Sequence, residues 1–506
     1  MKAIGFKNFR KFEDFPIMEM GDITMFVGGN NSGKSTTVKA IISVLTFLRN
    51  ARFYVSGNSK QILENNFYFN ENPYIHIGTF KRAKCNDNES NDLSFEIQLE
   101  NYLFSVFMNG EGCDENTTFA KLQRIILKDL GSNFIFDINY AKDEITMIFN
   151  KNTELFENNP QYIADIQKLN ESKSIQEKDK RIRRRYEQEF FYKYPIVDEG
   201  FEYSAKITDV LNKRRMIGGP LISGILYNSS YYFSEMEENL KDTQDNSFSK
   251  YDFLQTYIFR MGHILDNILW NQPLVEYIYA HSASQILLYN SSDNNYLSKT
   301  IHEFADLRDG KDSLAFDFVR KWMAFFEIGH DFKLETIGGE AHTFDIIGFD
   351  DKEAPLADKG MGTIQLMILL LRIAIIINSR RRFNNKIPVT VIVEEPEQNL
   401  HPRKQSQLID FFYQTYKEFN VKFIIETHSE YLIRRSQVMV AEKRYETEEK
   451  LKADCPFKVY YFPDKGLPYD MRYQTNGRFT RDFESGFYDE ASRSALLISK
   501  IERGRI

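Results

Sequence analysis

The chain has 506 residues, which is too long for one compact domain and suits a large head with one or two insertions. Hydrophobic residues make up 42% of the chain and charged residues 27%, as in an ordinary globular protein. The formal net charge of -7 excludes a basic field over the whole protein, so any binding to nucleic acid has to come from local patches.

Cysteines and apolar segments indicate the compartment. Cys85, Cys113 and Cys455 are far apart and form no CxxC pair, so we expect no zinc site and no disulfide framework, and a cytoplasmic location fits. The first residues lack the apolar run of a signal peptide. The apolar stretch 364–378 is interrupted by Gln365 and Arg372 and is too short to span a bilayer. It predicts a buried helix, and we expect no membrane contact.

Residues 1–110 are predicted to form the N-terminal half of an α/β head. Residues 23–27 are a mostly apolar strand that leads directly into glycines, and residues 36–48 have apolar side chains at helical spacing. Residues 93–99 alternate with period two, as a half-buried strand does. The order is therefore a strand, a glycine loop and a helix, followed by a β-rich stretch.

The rest of the chain divides into two parts by composition. Residues 111–270 are rich in Asn, Lys, Glu and Tyr and predict an inserted, mainly helical lobe. Residues 271–506 predict the C-terminal half of the head and a C-terminal segment. Within them, residues 388–393 and 421–425 are nearly all apolar, which is typical of strands in a parallel sheet covered on both faces.

A phosphate-binding loop is predicted between the first buried strand and its helix. The string GGNNSGKST matches GxxxxGK[ST], in which glycines let backbone N–H groups approach phosphate oxygens. Lys34 would reach the β- and γ-phosphates of ATP, and the Ser35 hydroxyl would bind Mg²⁺. The residues expected to contact the nucleotide are Gly28, Asn30, Asn31, Ser32, Gly33, Lys34, Ser35 and Thr36.

Two later strands are each followed by polar residues that suit catalysis. Glu394 and Glu395 follow one apolar strand, where ligands bind in open α/β sheets. Glu394 could bind Mg²⁺ through water, and Glu395 could activate the attacking water as a general base. His428 follows the next buried strand and could hydrogen-bond the γ-phosphate or that water. The predicted catalytic residues are Lys34, Glu395 and His428.

A second helix with an anion-binding start is predicted near residue 360. Gly360, Gly362 and Thr363 open the long apolar helix, and the N-terminus of a helix attracts anions. Taken alone, the same residues are equally typical of a simple helix cap after a loop.

Together these motifs resemble the ABC-type ATPase heads of the SMC, RecF and OLD group. VEEPEQNLHP resembles that group's Walker B motif and D-loop, ETHSEYLI its switch-histidine segment, and ADKGMGTIQLM its divergent signature motif. IGFKNFRKFED is similar to the first strand and loop of the same heads. The resemblance covers residues 1 to about 100 and about 275 to 487, and it implies an α/β, ABC-type P-loop ATPase head with Mg²⁺ and ATP as cofactors.

The resemblance also assigns roles by position. Gly33, Lys34, Ser35 and Thr36 match residues that bind nucleotide and metal, Glu394 matches the Walker B acid, Glu395 the base and His428 the switch residue. Gly360, Gly362 and Thr363 would contact the γ-phosphate bound by a partner head, which implies a homodimer or a higher oligomer. Gln61 and Gln98 are both open as the Q-loop glutamine.

The C-terminal segment around residues 476–489 resembles that of stand-alone bacterial ATPases, many of them from anti-phage defence cassettes such as Septu, PARIS and retron-linked ATPases. The sequence has no DxD motif after residue 428, no HNH-like cluster and no sustained heptads, so we expect a separate effector protein. A slow-turnover scaffold that holds a toxin or nuclease, and a RecF-like DNA-repair ATPase, are the alternatives. Binding to DNA stays open through basic runs at residues 181–185, 213–215 and 380–382.

Overall fold

The computed structural model describes residues 1–54, 66–72, 75–157, 160–172, 189–190, 193–212, 218–238, 250–271, 275–279, 287–290, 295–307, 313–382, 388–484 and 487–502. The chain divides into two compact units, one formed by residues 1–19 and 39–273 and the other by residues 20–38 and 274–506.

The strands of the described residues are, in chain order, β1 (Ala3–Phe9), β2 (Phe12–Glu19), β3 (Ile23–Gly28), β4 (Arg52–Tyr54), β5 (Asn66–Tyr68), β6 (Asp92–Leu99), β7 (Tyr102–Asn109), β8 (Phe119–Asp129), β9 (Phe134–Asn139), β10 (Glu144–Phe149), β11 (Phe201–Lys206), β12 (Gly218–Pro220), β13 (Val275–Ile278), β14 (Tyr289–Asn290), β15 (Asp331–Ile337), β16 (Ala341–Ile347), β17 (Glu353–Pro355), β18 (Val389–Glu394), β19 (Val421–Thr427), β20 (Phe457–Phe462) and β21 (Tyr469–Asp470).

The α-helices of the same residues are α1 (Lys34–Asn50), α2 (Phe80–Ala83), α3 (Pro160–Ser172), α4 (Ile207–Asn212), α5 (Leu221–Glu238), α6 (Lys250–Asp266), α7 (Tyr296–Ala305), α8 (Leu314–Phe325), α9 (Met361–Arg382), α10 (Pro402–Phe419), α11 (Glu430–Lys443), α12 (Glu448–Asp454) and α13 (Glu490–Glu502).

The first unit is built on an antiparallel sheet in the order β11-β10-β9-β8-β7-β6-β1-β2, with β5 paired to β8. In β6, Leu93, Phe95, Ile97 and Leu99 are buried while the residues between them are partly exposed, because successive side chains of a strand face opposite sides. The period-two prediction for residues 93–99 is therefore confirmed. Strands β4 and β12 form a separate antiparallel pair, and α5 packs against α6.

The second unit contains a sheet in the order β13-β18-β19-β3-β20-β21, parallel except for β21. Strands β18 and β19 are almost wholly buried, as predicted for strands covered on both faces, and β3 is buried as well. Helix α10 packs against β19 and buries Leu408, Ile409, Phe411 and Phe412. Strands β14 to β17 form a second, antiparallel sheet. The α/β class predicted from the sequence is confirmed.

Helix α9 extends beyond the apolar stretch that predicted it, from Met361 to Arg382. By length and composition alone it could cross a membrane, so the prediction that this segment is too short was wrong. Its most apolar 18-residue window is nevertheless 78% buried inside the protein. The apolar side chains of this helix pack in the core, so the predicted buried helix is confirmed.

The segment 111–270 differs from the predicted lobe in its first part. Residues 119–149 form strands β8 to β10 of the large sheet, β11 joins them, and the α-helices of this segment begin only at Pro160. In β9 and β10 buried and partly exposed residues alternate strictly, which is the pattern of a strand. The Asn- and Lys-rich composition concealed that alternation. The limits of the lobe stay a prediction.

Candidate functional site

The loop between β3 and α1 brings its backbone close to the neighbouring strand β20. A Cβ atom on Gly28 would lie 2.3 Å from the carbonyl oxygen of Phe462, so only glycine fits there. Asn31 and Gly33 have φ angles of +60° and +112°, in the left-handed region. These conformations let the loop turn sharply into the first turn of α1. Ser32 and Thr36 are buried, whereas Asn30 and Asn31 are exposed.

The Lys34 side chain lies across this loop. Its ammonium donates hydrogen bonds to the carbonyl oxygens of Gly28, at 3.0 Å, and of Gly29, at 2.8 Å. The residue is only 3% exposed. A buried cation at the start of a helix, next to a glycine loop, is suited to binding the β- and γ-phosphates of a nucleotide.

Sheet order places the other predicted residues at the same edge. Strand β3 pairs with β19, and β19 pairs with β18. Because the three strands are parallel, their carboxyl ends carry the phosphate loop, His428 and the Glu394–Glu395 pair side by side. The structure thus brings Lys34 and the polar ends of β18 and β19 to one site.

Glu394 and Glu395 have different surroundings although they are consecutive. Glu394 ends β18 and accepts a hydrogen bond from Tyr277, and burial together with this carboxylate raises the pKa of the Tyr277 phenol. Glu395 leaves the strand with a φ of +43°, and its N–H donates to the carbonyl oxygen of Glu426 at 2.7 Å. A Glu395 carboxylate oxygen lies 3.5 Å from Nε2 of His428. The second oxygen accepts a hydrogen bond from the Gln398 amide.

Glu397 is a buried carboxylate behind the predicted switch residue. It is 7% exposed, and its Oε1 accepts a hydrogen bond from the His428 N–H at 2.6 Å. Burial raises the pKa of this carboxyl. Ser429 then caps helix α11 and donates to Gln405 at 2.7 Å. The backbone on both sides of the imidazole is therefore fixed, and the side chain itself is half-buried.

The site offers a suitable donor set for a magnesium ion. The Ser35 hydroxyl donates to Oε1 of Glu426 at 2.6 Å, and Glu426 lies in register with Glu394 on the neighbouring strand. Glu426 is 3% exposed, and burial raises the pKa of its carboxyl, which the Lys34 charge partly offsets. Mg²⁺ prefers one or two carboxylates and a hydroxyl, completed by nucleotide phosphates and water. Ser35 and Glu394, the two residues predicted to bind the metal, would hold it.

A metal ion can also be bound entirely by protein side chains. Among the described residues, no group of three or more His, Cys, Asp or Glu side chains could hold a metal ion.

The start of helix α9 is tied to the loop that follows Glu395. The Asn399 amide donates to Oε1 of Gln365 at 3.1 Å. A Cβ atom on Gly362 would lie 2.4 Å from the Asn399 carbonyl oxygen, so Gly362 allows this close approach. Gly360 is exposed, and no atom of the part of the chain that the structure describes lies within 4 Å of its Cβ position. Thr363 is partly exposed. The three predicted residues therefore play different structural parts.

Several site residues were not predicted. Glu397 and Glu426 stand inside quoted motifs, and the signal that could have found them is an acidic residue at the end of an otherwise apolar strand or in the turn after it. Tyr277 and Gln365 had no such signal. Of the two Q-loop candidates, Gln61 lies outside the described residues, and the Gln98 amide donates to the Glu100 carbonyl in the first unit.

The basic runs give little support to a nucleic-acid surface. Residues 181–185 and 213–215 lie outside the described residues. Arg380 and Arg381 lie in the last turn of helix α9, where cations interact favourably with the helix dipole. Burial lowers the pKa of Arg380, so this guanidinium is partly enclosed by protein. A role in the helix end accounts for both described arginines.

Comparison with known protein families matches residues 1–433 to a family described as AAA ATPase domain. No curated protein matches the chain. The solved structures that match include the SMC head domain from Thermotoga maritima, at 8% identity and a TM-score of 0.31, covering 94% of this chain and 98% of that one. They also include a Smc head domain from Pyrococcus furiosus with an extended coiled coil, bound to the C-terminal domain of ScpA, at 10% identity and a TM-score of 0.30, covering 99% of each chain. Scores this low carry no argument, so the family match is the informative finding.

Proposed function

The chain belongs to the AAA ATPase domain family, with a mixed α/β P-loop ATPase fold, and we propose that it hydrolyses ATP with Mg²⁺ at a site completed by a second copy of the same head. The observation that carries this proposal is the contact between Glu395 and His428, whose side chains lie 3.5 Å apart at the sheet edge that also carries Lys34. A carboxylate beside a histidine at the edge that carries the phosphate loop suits the activation of a water that attacks a γ-phosphate.

Each residue has a chemical task in this reaction. Lys34 would neutralise charge on the β- and γ-phosphates, and Ser35 and Glu394 would hold the magnesium ion. Glu395 accepts a proton from the attacking water. His428, fixed through its N–H by Glu397, hydrogen-bonds the water or the γ-phosphate. Magnesium supplies Lewis acidity to the phosphoryl group when bound.

The start of helix α9 supports a shared site. Gly360 is exposed, no described residue lies within 4 Å of its Cβ position, and the helix N-terminus that follows it suits a phosphate. The loop between β3 and α1, which leads into Lys34, already provides one phosphate cradle in the same head. The resemblance to ABC-type heads supports the proposal that the second cradle serves the nucleotide of the partner subunit, which makes hydrolysis depend on dimer formation.

The output of such a switch would be mechanical. ATP binding would clamp two heads together in the cytoplasm, and hydrolysis would release them. The resemblance of the C-terminal segment to ATPases of anti-phage cassettes supports an effector encoded elsewhere. If so, cells carrying the whole locus should restrict phage plating, and the Lys34→Ala locus should not. Equal plating of all phages on both would contradict the defence role.

The test of the core proposal is phosphate release from the purified protein at several protein concentrations, with Mg²⁺ and with and without DNA. We expect a rate per subunit that rises with protein concentration until dimers predominate. A rate per subunit that stays constant over the monomer–dimer transition would contradict the shared site. Nucleotide binding without measurable phosphate release would instead support a slow scaffold, and stimulation by DNA would support the repair-type alternative.

A further inference from the structure

Glu426 is an acidic residue in a buried strand, where the packing of the core does not require a charged side chain. It follows Ile424 and Ile425 near the end of β19, a strand that is buried throughout except for Lys422. Burial of a carboxylate is costly unless its oxygens have partners. Oε1 has the Ser35 hydroxyl, whereas Oε2 is buried without a hydrogen-bond partner among the described residues. This oxygen needs a ligand that the protein does not supply.

The neighbours of Glu426 identify the ligand. Glu394 lies in register with Glu426 on the adjacent parallel strand, so the two side chains project from the same face of the sheet. The charge of Lys34 lowers the pKa of Glu426 and that of Glu395 raises it, so both charges are close. Several carboxylates around one phosphate loop repel one another and a triphosphate, and a divalent cation removes that repulsion.

We propose that Glu426 is a second carboxylate of the magnesium site and that it orients the Ser35 hydroxyl toward the metal. This inference rests on the proposed function and deepens it. A hydroxyl has one proton and two lone pairs. When the Ser35 proton is donated to Glu426, a lone pair of the same oxygen is left for Mg²⁺. Glu394 would then supply the other carboxylate of the site.

The proposal predicts that Glu426→Gln affects ATP binding in opposite directions without and with a divalent ion. Without a divalent ion, the Glu426 charge repels the triphosphate, so Glu426→Gln should bind ATP in excess EDTA at least as tightly as the wild type. With Mg²⁺, the same variant has lost a metal ligand, and the gain in ATP affinity on adding Mg²⁺ should shrink. Loss of a group in or next to a metal site typically weakens metal binding by about tenfold or more.

The experiment measures equilibrium binding of a fluorescent ATP analogue in EDTA and in Mg²⁺, together with electron paramagnetic resonance titration of Mn²⁺ in the presence of a non-hydrolysable ATP analogue. The matched control is Glu442→Gln, which removes one negative charge from the exposed end of α11. We expect Glu426→Gln to lower the Mg²⁺-dependent gain and the Mn²⁺ affinity by about tenfold or more, and Glu442→Gln to change neither.

Other outcomes separate the proposals. Equal loss of ATP affinity in EDTA and in Mg²⁺ would show that Glu426 only supports the loop, and a wild-type Mg²⁺-dependent gain would also overturn the assignment. Either result would leave the ATPase proposal intact, because binding by the wild-type protein tests that separately. If the wild-type protein bound no nucleotide in either condition, both proposals would fail.

Discussion

The main-chain N–H of His428 donates a hydrogen bond of 2.6 Å to the buried Glu397 carboxylate. Glu397 stands two residues after Glu395, and the Glu395 carboxylate contacts the His428 imidazole at 3.5 Å. The turn after β18 therefore positions the histidine through its backbone and engages it through its ring. Any change to this turn is expected to move the base and the switch residue together.

Glu397 should make stability depend on pH. Burial raises its pKa in the folded chain above the ordinary glutamate value of 4.5. The folded state then binds this proton more tightly than the unfolded state, so the contribution to stability is complete below pH 4.5 and is lost as pH rises through the raised pKa. Glu397→Gln keeps an acceptor for the His428 N–H and cannot ionise.

We therefore expect the wild-type protein to lose free energy of unfolding relative to Glu397→Gln as the pH rises above about 4.5, with about 1.4 kcal/mol lost in total for a pKa raised by one unit. Urea unfolding of both proteins at matched pH values measures this difference. Glu442→Gln, at an exposed position, serves as the control for the loss of one carboxylate. A flat difference for Glu397→Gln would show that Glu397 is not perturbed by burial.

Lys34→Ala should abolish tight ATP binding. The Lys34 ammonium is the cation that the motif directs at the β- and γ-phosphates, and it lies against the loop that would enclose them. Isothermal titration with ATP and Mg²⁺ measures the loss, and Lys452→Ala, at an exposed position of α12, is the control. Normal ATP affinity in Lys34→Ala would refute the assignment of the phosphate loop.

Glu395→Gln should retain ATP, lose at least about a hundredfold in the hydrolysis rate and accumulate dimers, because general-base catalysis contributes about that much or more. Glu394→Gln should instead weaken Mg²⁺-dependent binding.

His428→Ala should slow hydrolysis as well, and its effect should not add to that of Glu395→Gln, because the two side chains act as a unit. Single-turnover hydrolysis and light scattering measure these effects. Wild-type single-turnover kinetics in Glu395→Gln would reject the base role.

The sequence predicted the parts of the site that depend on local order. The phosphate loop, the acidic pair and the histidine each follow an apolar strand, and parallel strands bring such ends together whatever the connections between them are. Strand β19 could not be placed between β3 and β18 from its sequence alone, because pairing order is set by long-range contacts. The contact of Ser35 with Glu426 depends on that order and was missed.

Side-chain partners across elements were equally inaccessible from the sequence. Gln365 belongs to a helix predicted as merely buried, yet its amide oxygen accepts from Asn399 in the turn after β18. Strands β8 to β10 were concealed by polar composition, since their alternation is visible only when one face is known to be covered. The polar residues on the exposed face of these strands dominate their composition, whereas the apolar residues of the buried face stand at every second position.

The shared site is best tested at Gly360. Gly362 looks equally suitable in the sequence, but a Cβ atom there would lie 2.4 Å from the Asn399 carbonyl oxygen and 2.9 Å from a Leu400 methyl group. A larger residue at Gly362 would therefore displace the turn that carries Glu395 in its own head. Among the described residues, nothing lies within 4 Å of the Cβ position of Gly360, so a side chain can be added there without a clash with them.

Gly360→Glu is expected to leave ATP binding by each head nearly unchanged and to remove turnover, because it places a negative charge where the phosphate of the partner would dock. Electrostatic stabilisation of the transferring phosphoryl group is a large term in such sites, so the loss should be at least about a hundredfold. Gly360→Ala is the matched control, which adds a Cβ atom without a charge and should retain most of the activity.

Mixing Gly360→Glu with Lys34→Ala protein then distinguishes a shared site from a site within one head. In a mixed dimer, the intact phosphate loop of the Gly360→Glu subunit meets the intact helix start of the Lys34→Ala subunit, so one working site is restored. Because random pairing yields mixed dimers for about half of the molecules, and each has one site of two, the mixture should recover about a quarter of the wild-type rate per subunit. If the mixture stays inactive while both variants fold and dimerise, hydrolysis does not depend on a site shared between heads.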